Sequence, residues 1–305
     1  MQPQNEQKTI LPSVHALLAG AVDYAGLFPP SQLSMEDAVM NFALNRSGPY
    51  NWMLGRFVVP AARLEEFYDN ACTCISPTDK TGWHLSVLAG ENIYETISQI
   101  TDFNKKHSPA FVCDQLEVRA TTVSKIENTT TSLPKDLTAY FEIPQKENFV
   151  ELVAALAKYG QRAKIRTGGV TPDAFPTSAD IIRFVRSCTA ANVPFKATAG
   201  LHHPLRCFRP LTYADDAPRG TMHGFLNVFL MTGFARKSFK PNQLEQVMEE
   251  EFEEAFEFDE TGVSWHGEDT LNILQIEILR RAGINSFGSC SFDEPVEDLQ
   301  ALGLL

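Results

Sequence analysis

One pattern recurs along this chain: a short β-branched or alternating run, then a longer helical run, with strand starts about 30 residues apart through most of the sequence. Candidate strands are Met53–Val59, His84–Ala89, Gln115–Ala120, Thr138–Pro144, Ala163–Thr167, Phe195–Ala199, a broken Phe256–Trp265, and Ile284–Gly288. Candidate helices alternate with them: Ala61–Cys72, Asn92–His107, Val123–Ser132, Asn148–Tyr159, Ser178–Asn192, Asp269–Ala282 and Glu294–Leu302. Parallel strands need crossovers of this length, because a tight turn makes only an antiparallel pair. Eight such units in 305 residues predict an α/β fold, a single-domain (β/α)8 TIM-like barrel over residues 1–305. A doubly wound open sheet is the structural alternative, but its G-x-G-x-x-G fingerprint after the first strand is missing.

Two parts exceed a minimal barrel. Residues 1–50 read as an N-terminal helical cap, with helices at Pro12–Ala19 and Met35–Asn45. Residues 201–253 read as a helical insertion between strands six and seven, with an apolar helix near Met222–Phe234 and an acidic one near Leu244–Phe256. The Glu249–Glu254 run reads as a solvated helix face. The apolar stretch Met222–Ala235 is shorter than the roughly 20 residues that span a bilayer, and His223 and Asn227 interrupt it. The polar first ten residues carry no secretory signal, and six scattered cysteines suit a reducing cytoplasm. Lysine and arginine number 26 against 38 acidic residues, which argues against nucleic acid as a partner.

Strand parity locates a site. Leu116 and Val118 oppose Glu117 and Arg119; Phe141 and Ile143 oppose Tyr140 and Glu142. Ile165 and Thr167 oppose Lys164 and Arg166; Phe195 and Ala197 oppose Lys196 and Thr198. Helical stripes such as Phe149, Leu152, Val153 and Leu156 must cover the apolar strand faces, so the charged faces point into the barrel. Arg119, Lys164, Arg166 and Lys196 then outnumber Glu117 and Glu142 by two, inside a chain of net charge −12. That local excess predicts a small anionic ligand, carboxylate or phosphate. The competing structural reading is a self-satisfied ion-pair network. Two neighbouring lysines each disfavour the other's charge, so Lys196, with apolar neighbours, is expected to have a lowered pKa and act as a nucleophile. Lys164 is its perturbing cation, and Glu142 or Tyr140 moves protons.

Lys196-Ala197-Thr198-Ala199-Gly200 resembles the K-T-S-T-G strand of deoxyribose-phosphate-aldolase-like class I aldolases. Lys164-Ile165-Arg166-Thr167-Gly168-Gly169 is similar to their second lysine strand, K-A-S-G-G, with one extra residue and in the reverse chain order. The resemblance spans about a dozen residues and implies a Schiff base on Lys196, on strand six, with Lys164 beside it. As a whole the chain looks more like bacterial proteins of roughly this length.

Other signals gather at the same end. His202 and His203 follow strand six, and in an extended segment only one of them reaches the ligand of Lys196. Gly168 and Gly169 offer backbone N–H groups to an anion, as Gly288-Ser289 does after the last strand. Asp23, alone in the apolar loop Gly20–Pro30, is expected to be partly buried and paired, and Arg56 joins the site if its parity allows. Trp265-His266-Gly267 is a candidate pocket wall. The leading expectation is an aldolase-type lyase acting on a small anionic carbonyl compound, with no cofactor. The alternatives are a metal-assisted hydrolase or isomerase using Glu142 and His202, and a non-catalytic anion-binding barrel. The expected partner is the small anion, not a membrane, and a homo-oligomer is compatible with the sequence.

Overall fold

A computed structural model describes residues 9–75, 81–145 and 148–305. In chain order its elements are α1 (Pro12–Leu18), β1 (Val22–Tyr24), α2 (Met35–Ser47), β2 (Leu54–Pro60), α3 (Leu64–Ala71), β3 (Trp83–Leu88), α4 (Ile93–His107) and β4 (Phe111–Arg119). There follow α5 (Val123–Ser132), β5 (Thr138–Glu142), α6 (Phe149–Lys158), β6 (Arg162–Arg166), α7 (Ser178–Ala190), β7 (Phe195–Thr198), β8 (Cys207–Pro210) and β9 (Arg219–Met222). The chain ends with α8 (Phe225–Arg236), α9 (Pro241–Met248), β10 (Phe256–Phe258), β11 (Gly262–Trp265), β12 (Asp269–Asn272), α10 (Ile273–Ala282), β13 (Ile284–Ser289) and α11 (Asp293–Ala301). Among the described residues, β1 to β7 and β13 close into a barrel of eight parallel strands.

Local chemistry sets the helix starts. Asn92 accepts hydrogen bonds from the Tyr94 and Glu95 backbone N–H groups, and Thr177 accepts from that of Asp180. Asn272 and Gln275 form a reciprocal capping box on α10. The apolar stripes then settle on the sheet: Ile93, Ile100 and Phe103 of α4 are buried, as are Leu116, Val118, Phe141, Ile165 and Ala197 on the outward faces of the strands.

Two strand assignments differ from the sequence reading. The barrel's first strand is β1, inside the segment read as a cap. It pairs with β13 on one side and β2 on the other. Three residues with a central aspartate are too short to display alternation. The broken run Phe256–Trp265 is not a barrel strand. Asp259 Oδ1 accepts from the N–H groups of Thr261 and Gly262 and bends the chain into a hairpin, so β10, β11 and β12 form a separate antiparallel sheet. The count therefore shifts by one: Lys164 stands on the sixth barrel strand and Lys196 on the seventh.

The long insertion lies between the seventh and eighth barrel strands. It holds the antiparallel β8–β9 ribbon, α8, α9 and the β10–β12 sheet. Helix α8 is buried on all sides among α7, α9 and α10. Asn227 within it donates to the carbonyls of Val247 and Glu250 and accepts from the Arg206 N–H. The expected acidic helix stops at Met248. Glu250 is not a solvated face residue. It is buried and accepts from Trp265 Nε1 and from the N–H groups of Glu251 and Phe252, with His266 Nε2 at 2.9 Å. Trp265 and His266 thus brace the insertion and do not line the barrel mouth. Among the described residues no helix is long and apolar enough to cross a membrane, and the six cysteines are free.

Candidate active site

Midway up the barrel the inward side chains form one connected polar layer. Lys196 Nζ, with no exposed surface, donates to Asp23 Oδ2 at 2.6 Å and to Glu117 Oε1 at 2.7 Å. Lys164 Nζ lies 2.7 Å from Glu117 Oε2 and 3.0 Å from Glu142 Oε2. Glu117 thus bridges the two lysines, which face each other across the β6–β7 register. Further donors tie the layer to its surroundings. Ser286 donates to Asp23 Oδ2, the Arg56 backbone N–H donates to Asp23 Oδ1, and Ser86 donates to Glu117 Oε1 while accepting from Gln115.

This arrangement reverses the expected electrostatics of Lys196. Burial opposes its charge, but Asp23 and Glu117 outweigh burial, and its pKa is raised. The amine is held as an ammonium, which does not attack a carbonyl. Glu117 is shifted the opposite way: burial opposes its charge, the two lysines outweigh it, and its pKa falls well below the ordinary carboxylate range. The expected cation excess is also cancelled. Asp23 joins the layer as a third carboxylate, and Arg119 and Arg166 lie exposed at the rim.

Above the layer, at the C-terminal ends of the strands, lies a cavity of about 220 Å³. Glu117 and Lys164 lie at its floor; Arg166, Thr198, His202 and Cys290 are on its walls. Phe28, Pro29, Val58 and Leu88 supply apolar surface. Lys196 and Asp23 do not reach it. A second cleft, of about 500 Å³, adjoins at Arg166 and runs past Arg119 and Glu142 to the start of α7. Lys164 and Arg166 are the lysine and arginine side chains that line the first cavity.

The other predicted residues divide. Tyr140 packs its ring 5.6 Å from Lys196 Nζ, but its hydroxyl donates to Asn285 and accepts from Arg162, near the N-terminal ends of their strands and away from the cavity. Arg56 is clamped by Asp114 through two hydrogen bonds of 2.7 and 2.9 Å and does not line the cavity. Gly169 and Gly288 line it. Gly168 is a packing residue: a Cβ there would fall 2.4 Å from Phe175 Cε1 and 2.9 Å from Gly200 Cα. Of the paired histidines, His202 reaches the cavity and His203 binds Asp298 at 2.6 Å. The expected pairing of Glu142 with His202 does not form. Glu142 holds Lys164, while His202 Nδ1 lies 3.8 Å from Cys290 Sγ and 3.3 Å from Glu294 Oε2. Among the described residues no group of three His, Cys, Asp or Glu side chains is placed to hold a metal ion.

Ser86, Gln115, Ser286 and Cys290 were not anticipated. Strand parity contained the signal for the first two, since Gln115 and Glu117 share a face and Ser86 pairs with Gln115 in register. Nothing local marks Cys290. No protein-family model matches the chain, and no curated protein sequence matches it.

Proposed function

We propose that this chain is an aldolase-type lyase acting on a small anionic carbonyl compound through a Schiff base on Lys164. One observation carries the reading: of the two buried lysines, Lys164 is the one that opens onto the cavity, between two carboxylates. The resemblance to class I aldolases assigns the Schiff base to Lys196 and the perturbing role to Lys164; the two roles are exchanged here, because Lys196 is sealed between Asp23 and Glu117 and does not line the cavity. Glu142, the more exposed of its two carboxylates, takes the ammonium proton. The freed amine adds to the carbonyl carbon, and the returned proton leaves with the carbinolamine oxygen as water. The protonated imine then accepts the electron pair of the C–C bond cleaved beside it, while Glu142, again a carboxylate, takes the proton of the hydroxyl that becomes the departing carbonyl. Throughout, Lys196 keeps Glu117 charge-balanced and fixed. Arg166 meets the substrate's anionic group.

Borohydride trapping tests this. The protein is incubated with acetaldehyde, glyceraldehyde 3-phosphate or pyruvate, reduced, digested and mapped by mass. The expected adduct is on Lys164, and Lys164→Arg, which keeps the charge but forms no imine, abolishes it. An adduct confined to Lys196, or none with any carbonyl, overturns the reading.

A second reading, a non-catalytic barrel that holds a small anion, is favoured by the ion pairing of both buried amines. It predicts thermal stabilisation by phosphate or carboxylates without any trapped adduct.

A further inference from the structure

The cavity wall carries a reactive group that the lysine chemistry does not use. Cys290 follows β13 directly and is buried, yet it lines the cavity. Its Sγ lies 3.8 Å from His202 Nδ1 and 3.7 Å from the Tyr213 hydroxyl. Glu294, from the first turn of α11, brings Oε2 to 3.3 Å from the same Nδ1, so thiol and carboxylate face one imidazole nitrogen, and this buried Oε2 makes no hydrogen bond. Ser31 donates to the Cys290 carbonyl at 3.2 Å and fixes the backbone. Four separate segments thus meet around the Cys290–His202 pair: the β13 end, the β7–β8 connection, the loop after β8, and α11. A buried thiol in a merely structural role needs none of this.

We propose that Cys290, with His202, is a second nucleophile of the mouth cavity, one that captures small aldehydes as hemithioacetals. The thiol proton passes to the imidazole, whose charge Glu294 balances. The thiolate sulfur adds to the carbonyl carbon; a C–S bond forms, the carbonyl π pair moves to oxygen, and that oxygen takes the proton from His202. The reversal releases the aldehyde, and no oxidant or reductant takes part. The electrostatics agree with the geometry. Burial raises the Cys290 pKa, but His202 outweighs it and the net shift is downward. Burial lowers that of His202, but Cys290 and Glu294 push it up to about 9. The groups facing the pair are Tyr213 and Glu294 beside it, Tyr24 from β1, and Glu117, Lys164 and Arg166 across the cavity. The inference does not depend on the Schiff-base reading.

Site-resolved alkylation of the intact protein by iodoacetamide tests it, with exposed Cys72 as the internal reference. At a pH of about 6.5, Cys290 is expected to react about tenfold faster than Cys72 despite its burial. His202→Gln removes that advantage, and millimolar acetaldehyde slows alkylation of Cys290 but not of Cys72. The protection is repeated in Lys164→Arg, where no imine can block the cavity, and is expected to persist. Three results each overturn the proposal: Cys290 reacting no faster than Cys72 in the wild-type protein or not at all, a rate indifferent to His202→Gln, or protection that vanishes in Lys164→Arg.

Discussion

Lys196 shows how far a residue's role depends on its partners. Its strand offers it alternation and apolar neighbours, which alone suggest a desolvated, neutral amine. Two carboxylates within 2.7 Å reverse that outcome. Removing the amine strands Asp23 and Glu117 as uncompensated buried charges. Lys196→Met is therefore expected to lower unfolding stability by about 3–5 kcal/mol in urea titration. A loss no larger than that of an exposed lysine would contradict this network. Lys164→Met should cost less, because Glu142 is partly exposed and Glu117 keeps Lys196. Among the site residues, the inward charges on β4 to β7 were legible from parity, whereas Lys164's place at the cavity floor was not. Which of two like residues reaches a surface depends on how the layers stack, and alternation carries no such information.

At the scale of elements, the loops after β6 and β7 cross at van der Waals distance over Phe175. Gly168 permits the crossing, with Gly200 Cα and the Phe175 ring where a side chain would begin. Gly168→Ala is expected to cost about 1–3 kcal/mol through overpacking. Thermal melts read this directly, and an unchanged midpoint would mean the loops yield freely. Because Gly169 and Gly200 line the cavity, the same substitution should also weaken the phosphate or carboxylate binding proposed above. The helices from Asn92 to Asn192 were readable because each is long and periodic, and α4, α5 and α7 carry side-chain caps at Asn92, Thr122 and Thr177. β1 and the β10–β12 sheet were not. The first has three residues, and the second copies a barrel strand's composition while its Asp259–Gly262 turn forces antiparallel pairing.

For the whole molecule, the network makes stability depend on pH at both extremes. Glu117 and Asp114 have lowered pKa values when folded, against about 4 when unfolded. For Asp114 burial opposes the charge, but hydrogen bonds from His84 and Arg56 outweigh it and bring the value to about 2. Both contributions are complete above a pH of about 5 and are lost as pH falls toward 2. Lys196 has a raised pKa, so its contribution is complete below its unfolded value of about 10.4 and is lost as pH rises through the folded value. A plot of Tm against pH should therefore show an acid limb that Asp114→Asn makes shallower. An unchanged limb would show that the Arg56–Asp114 clamp carries no net linkage.

The repeating strand–helix pattern by itself determined the barrel and the inward direction of Glu117, Lys164 and Lys196. These follow from periodicity and chain connection, which are local. Closure by β1 through Asp23, the division of labour between the two lysines, and the meeting of Cys290, His202, Tyr213 and Glu294 were decided by tertiary structure. Each joins residues far apart in the chain whose separation in space depends on how the whole barrel closes, and no run of neighbouring residues encodes that distance.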